Sequence, residues 1–256
     1  MAKTSSQIKI RILGSASGFP VANKHSSAYL LNWNGYHILI DAGDGVSSQL
    51  QKYQINVKTI DAVIITHTHP DHAAGLFLLL QWMYLEKRVN KLRIYLPEKL
   101  IKKFENMLSC FYIIPDIWPF DWEFLPIVPG TFFKQAGLQI KAYPNTHLST
   151  YKPFVDQYDL CFDAFSLWFG YENEKGIIYT SDVKNFIHLK QAGMHSKILL
   201  TECTHVTLDE INQFTKDNQI SGIFLTHIPT EMDKDASKNL KYPDFKWVQD
   251  GTIIEV

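Results

Sequence analysis

Val63-Ile64-Ile65-Thr66-His67-Thr68-His69-Pro70-Asp71-His72 is the stretch from which the rest of the chain is read. Its apolar run predicts a buried strand. Three imidazoles and one carboxylate follow within six positions. On a nearly extended backbone, alternate side chains share a side, so His67 and His69 can grip one cation. Pro70 bends the path, and Asp71 and His72 can then turn toward a second. Downstream, Ala73 to Arg88 predicts a helix. Its apolar block, Leu76 to Leu85, is interrupted by Gln81 and closed by Glu86-Lys87-Arg88, which suits a buried helix and is too short for a membrane span. The candidate ligands therefore lie on a strand-to-helix connection, where α/β folds place function.

Upstream, Ile8 to Leu13 alternates apolar and polar residues and predicts a first strand. It enters the loop Gly14-Ser15-Ala16-Ser17-Gly18-Phe19-Pro20, which could line a site with backbone N–H groups or serve only as a connection. Ser27 to Trp33 and Tyr36 to Ile40 flank Asn34-Gly35, a two-residue hairpin signal. Asp41, ahead of Ala42-Gly43-Asp44-Gly45, reads equally as a residue that orients metal ligands or as a turn former. Downstream of the motif, Leu92 to Leu96 predicts a strand and Pro97 to Cys110 a helix with one apolar face. Phe111 to Phe133, dense in aromatics and prolines, predicts an irregular element covering the core edge or walling a pocket, or else a protein interface such as that of a homodimer. Strands are expected at Leu138 to Tyr143, at the hairpin Ala164 to Tyr171 and Ile177 to Thr180, at Ile198 to Thr201 and at Ile220 to Thr226. Thr207-Leu208-Asp209-Glu210 is a capping box that starts a helix. A hairpin of Phe245 to Val248 and Thr252 to Val256, turning at Gln249-Asp250-Gly251, closes the chain.

The chain has 256 residues, 46% of them hydrophobic, enough for a sizeable core; no linker or repeat breaks it, so residues 1–256 are expected to form a single domain. A net charge of −1 gives no global field that would recruit nucleic acid. Cys110, Cys161 and Cys203 are odd in number and far apart, which suits a reducing compartment. The first residues carry no apolar signal core, so a cytoplasmic protein without a membrane partner is expected.

One pattern recurs. An apolar strand ends in His or Asp at His67, His147, Asp182 and His227, with Asp41 as a carboxylate variant. Parallel neighbours would gather such ends on one rim. Two ions about 3.5–4 Å apart need several nitrogen ligands and a bridging carboxylate. The count fits His67, His69 and His147 for one ion, Asp71, His72 and His227 for the other, and Asp182 between them.

On these residues the chain resembles the metallo-β-lactamase superfamily, whose signature is this H-x-H-x-D-H followed by separated His, Asp and His ligands. The resemblance implies an α/β fold, a four-layer α/β/β/α sandwich, with His67, His69, Asp71, His72, His147, Asp182 and His227 as metal ligands. Gly14 to Pro20, Ser26-Ser27-Ala28-Tyr29-Leu30, Ile40 to Gly45 and Thr226-His227-Ile228-Pro229 are most similar to the ribonuclease Z and cyclic phosphodiesterase branch. Glu202-Cys203-Thr204 is similar to the Glu-Ala-Thr of ribonuclease Z. His205-Val206-Thr207 is similar to its His-Ser-Thr, which implies that His205 assists at the phosphate. The two pieces are fused here. Only 34 residues separate His147 from Asp182, too few for the tRNA-gripping arm that ribonuclease Z inserts there, so tRNA is not the expected partner.

The expected cofactor is Zn²⁺, two per chain, with Mn²⁺ and Fe as alternatives. Zinc lowers the pKa of its bound water to about 7, which makes hydroxide available to attack phosphorus or a carbonyl carbon. Asp71 or Asp182 is expected to hydrogen-bond that nucleophile, with Asp71 and His205 as the catalytic residues, His205 stabilising or protonating the leaving oxygen of a phosphodiester. A small-molecule or short-nucleotide phosphodiester is thus the leading substrate class. A lactone, thioester or related ester is the alternative, and a catalytically silent metal-binding protein is a third reading. No G-x-S-x-G or phosphate-loop motif competes.

Overall fold

The computed structural model describes residues 8–135, 137–233 and 242–255. The segment Met1 to Gln7, expected to carry no export signal, and Val256, the expected last residue of the final strand, lie outside the described residues. The described residues include fourteen strands: β1 (Ile8–Gly14), β2 (Ala28–Trp33), β3 (Tyr36–Ile40), β4 (Ile60–Ile64), β5 (Leu92–Pro97), β6 (Trp122–Ile127), β7 (Gly130–Gln135), β8 (Leu138–Asn145), β9 (Ala164–Tyr171), β10 (Gly176–Tyr179), β11 (Ser196–Glu202), β12 (Gly222–Thr226), β13 (Phe245–Trp247) and β14 (Ile253–Glu255). They form two seven-stranded sheets, ordered β14-β1-β2-β3-β4-β5-β6 and β13-β12-β11-β10-β9-β8-β7. The described residues divide into two units, one within Met1–Leu96, Leu100–Pro126 and Gln249–Val256, the other within Pro97–Lys99 and Ile127–Val248.

In the first unit the β2–β3 turn is the one its Asn34-Gly35 requires. Both residues have positive φ, 48° and 83°, the left-handed pair that matches the twist of a hairpin. β3, β4 and β5 run parallel, so their carboxyl ends share an edge. There the Asp41 N–H bonds the Ile64 carbonyl at 2.8 Å, which seats Asp41 beside the strand that leads to His67. Helices Val46–Lys52 and Leu76–Leu85 bury Val46 and Leu50, and Leu76, Leu79, Leu80 and Met83.

The helix expected over Ala73 to Arg88 is broken in two, Pro70–Ala73 and Leu76–Leu85. The cause is Gly75. Its N–H bonds the Ala42 carbonyl, and a Cβ there would lie 2.3 Å from the Gly43 oxygen. Only glycine lets the chain come so close.

The second sheet is antiparallel through β7, β8, β9 and β10 and parallel through β10, β11, β12 and β13. Helix Leu208–Asp217 starts at the capping box expected from Thr207 and Glu210. It lays Ile211 and Phe214 on a core that includes Leu199, Ile223 and Leu225. Burying each of those two side chains is worth about 1.5–3 kcal/mol.

Two expectations need correction. The closing strands are not a hairpin, because β13 extends the second sheet beside β12 whereas β14 pairs with β1 in the first. Asp250-Gly251 does carry a turn, but Gly251 donates to the Ile12 carbonyl and Asp250 is held by Ser15 and His25, which draws β14 away from β13. The Phe111 to Phe133 segment is irregular only in its first half. Its second half supplies β6 and most of β7, edge strands whose half-exposed faces lack the apolar run of a central strand. Its first half walls a pocket, as expected: Phe111 and Ile113 join Phe77, Phe104 and Met107 around a cavity of about 650 Å³ that also reaches Thr68 and Pro70. No disulfide joins the three cysteines. Among the described residues no helix is long and apolar enough to cross a membrane.

Candidate metal centre

The first unit places the whole H-x-H-x-D-H motif just past the end of β4. His67 and His72 are buried, and His67 Nε2 lies 3.2 Å from His69 Nδ1, as alternation on an extended backbone requires. Asp71 and His72 sit on the short helix opened by Pro70. His72 Nδ1 lies 2.8 Å from Asp41 Oδ2. A carboxylate only accepts, so Nδ1 carries the hydrogen and Nε2 the lone pair, 3.6 Å from Asp71 Oδ2.

Asp41 itself is fully buried, with a left-handed φ of 55°. Its carboxylate also accepts from the Thr66 N–H and hydroxyl, at 2.8 and 2.9 Å. Asp41 thus bends the chain at the end of β3 and holds the His72 ring from the side of Nδ1.

The Gly14 to Pro20 loop belongs to the same neighbourhood. Asp250 grips it at Ser15, accepting from that residue's N–H and hydroxyl, and accepts also from the N–H and ring of His25 beyond the loop. Gly18 then lies against Asp71, whose Oδ2 would be 3.3 Å from a Cβ at that position.

In the second unit His147 follows β8, Asp182 follows β10 and His227 follows β12, each at the strand end expected from the sequence. They converge on one atom. Asp182 Oδ2 lies 3.6 Å from His147 Nε2, 3.4 Å from His227 Nε2 and 3.9 Å from His205 Nδ1. Glu202, buried, holds His205 from behind, through its N–H at 2.8 Å and Nδ1 at 3.1 Å, and also accepts from Thr204 and Val183. Sequence reasoning quoted Glu202 without giving it this role, since a buried glutamate at a strand end has no spacing of its own to announce it.

These distances test whether a cation fits. The outer contacts, His72 to Asp41 and His205 to Glu202, have hydrogen-bond lengths. The inward ones, 3.4 and 3.6 Å at Asp182 and 3.6 Å at Asp71, are longer. Two ligand atoms about 2.1 Å from a tetrahedral ion stand about 3.4 Å apart. Imidazole nitrogens facing carboxylate oxygens at that separation suit a divalent first-row cation.

A family profile described as anti-Pycsar protein Apyc1 matches residues 8–252. The chain belongs to the anti-Pycsar protein Apyc1 family. Among Apyc1 proteins, that of Bacillus phage BSP38 is 24% identical over 242 residues, covering 88% of this chain and 90% of the phage protein. The ribonuclease Z of Clostridium botulinum is 40% identical over 116 residues, which span 45% of this chain and 36% of that enzyme. The chain thus spans about a third of the length of that relative. Among solved structures, the metallo-β-lactamase fold protein YhfI of Bacillus subtilis superposes with a TM-score of 0.76 at 20% identity, covering 98% of this chain and all of that one. This Apyc1 family member has the metallo-β-lactamase fold expected from the sequence.

Behind the second unit's donors lies a buried polar chain. Ser166 Oγ donates to the Thr180 carbonyl at 2.6 Å and stands 3.0 Å from His188 Nε2. With the serine proton committed, His188 must donate from Nε2. Burial lowers the His188 pKa from the ordinary 6.5 to about 4, so the folded protein holds the ring neutral. The unfolded chain binds that proton more readily. The contribution of His188 to stability is therefore complete above about pH 6.5 and falls away as the pH drops toward about 4. Denaturant midpoints measured across that interval should decline less steeply in His188→Gln than in the wild type.

Proposed function

We propose that His67, His69, His147 and Asp182 hold one divalent ion and that Asp71, His72, Asp182 and His227 hold a second, zinc foremost, with residues 1–256 working as one hydrolase domain. We propose a phosphodiester as the substrate, and a cyclic nucleotide as its class. Bound ions would supply Lewis acidity to the phosphoryl oxygens and lower the pKa of water.

The chain's own groups do the rest. Asp71, partly open to solvent, accepts the proton of the attacking water. Asp41, Thr66 and Glu202 fix the rings and so keep the donors in place without reorganisation. His205, its Nδ1–H held by Glu202, delivers a proton from Nε2 to the departing sugar oxygen.

The observation that carries this reading is the His205–Glu202 pair. A partly exposed imidazole, braced by a buried carboxylate and 3.9 Å from Asp182, is suited to give a proton to a poor leaving group. The family match, to proteins described as anti-Pycsar, and the ribonuclease Z similarity both point to phosphodiester chemistry. The stretch from His147 to Asp182 also supports a small substrate. Most of it is taken up by helical turns at His147–Tyr158 and by the β9–β10 hairpin.

Steady-state hydrolysis of cyclic nucleotides, a generic phosphodiester, a lactone and a thioester tests the assignment. The phosphodiesters should turn over, and His205→Ala should lower kcat by about 10²–10⁴-fold with metal content unchanged. Turnover of the lactone or thioester alone would contradict it, and so would a His205→Ala enzyme of undiminished rate.

A further inference from the structure

The donors His147 and Asp182 follow strands that are not neighbours, since β9 lies between β8 and β10. Strand pairing alone therefore leaves the spacing of their two turns to other groups. One side chain spans the gap. Asn145, the last residue of β8, is buried; its Oδ1 accepts from the His147 N–H at 3.0 Å, and its Nδ2 donates to the Asp182 carbonyl at 3.1 Å. A donor on one side and an acceptor on the other fix which way the amide points. Nδ2 also faces Ser166 Oγ on β9, 3.5 Å away, and so joins the Ser166–His188 chain.

Few other side chains could do this. Aspartate would accept from His147 but set a carboxylate against the Asp182 carbonyl, with no hydrogen to offer. Alanine would leave a buried N–H and a buried carbonyl to find other partners.

We propose that Asn145 is a positioning residue of the metal centre, whose amide ties the His147 turn to the Asp182 turn and thereby sets the affinity of the centre for divalent cations. It rests on the assignment of His147 and Asp182 as ligands made above. Asn145 gives its side-chain amide to the two ligand turns. It acts through the backbone of both ligand turns, which puts Nε2 of His147 and Oδ2 of Asp182 at their 3.6 Å separation.

The test strips the full-length protein of metal and titrates it with Zn²⁺ and with Mn²⁺ against a competing chelator. Wild type, Asn145→Asp and Asn145→Ser are compared, and thermal unfolding of each metal-free form is recorded beside the titration. Asn145→Asp should bind about 10–100-fold more weakly, the range for residues that orient ligands. Asn145→Ser, which keeps a short polar group near the His147 N–H, should fall between it and the wild type. Both metal-free variants should remain folded at the temperature of the titration. If Asn145→Asp does not fold, Asn145→Ser alone decides, with weaker binding expected. Wild-type affinity in the folded variants would overturn the positioning role, as would a loss no greater than the unfolded fraction accounts for. A wild-type protein that binds neither ion would overturn the ligand assignment itself, and the positioning role with it.

Discussion

Asp182→Ala should lower hydrolysis by about a thousandfold or more and reduce the metal content of the protein at the same time. The expectation follows from one atom, because the Nε2 atoms of His147 and His227 both face Asp182 Oδ2, at 3.6 and 3.4 Å, and His205 stands 3.9 Å from it. Removing the carboxylate leaves three imidazoles around a gap where an anion had balanced charge. Several kcal/mol of transition-state stabilisation, the scale of a metal's contribution, corresponds to that factor in rate. Elemental analysis and kcat measured on the same sample check both halves of the result. Full metal content with unchanged turnover would remove Asp182 from the centre.

The second large effect is expected at Asp41, which touches none of the reacting groups. Its buried carboxylate accepts from the Thr66 N–H, the Thr66 hydroxyl and His72 Nδ1. Asp41→Ala deprives all three donors at once, at 0% exposure, and should destabilise the folded protein by about 3–5 kcal/mol, the cost of breaking a buried pair. Asp41→Asn keeps the shape and part of the hydrogen bonding but no longer fixes the His72 tautomer. Its folding loss should be smaller, and its metal affinity about 10–100-fold weaker. Denaturant unfolding of the metal-free proteins, set beside chelator competition, separates the two effects. Equal stability in wild type and Asp41→Ala would show that the buried carboxylate does not brace the motif.

The sequence disclosed those parts of the site that follow from local periodicity. His67 and His69 are two residues apart on an extended chain, and His147, Asp182 and His227 each follow an apolar run that could only be a strand. The Thr207 capping box was legible for the same reason, since both its hydrogen bonds lie within four residues. What escaped depends on partners distant in sequence. Asp250-Gly251 has the composition of a hairpin turn, yet its carboxylate is taken up by Ser15 and His25 more than 220 positions away, so β14 joins the first sheet. Asn145 stands two residues before His147, but its meaning lies in Asp182, 37 positions on. The break before Gly75 comes from the close approach of Gly43, which no helical pattern reveals. β6 and β7 were hidden because edge strands need no alternating apolar face.

The claim on which everything else depends is that the donors serve divalent ions, and the metal-to-protein ratio of the purified full chain tests it most directly. Elemental analysis should find two ions per chain, and chelation should abolish turnover until zinc is restored. Fewer than one ion per chain, with neither stability nor turnover altered by chelation, would contradict it.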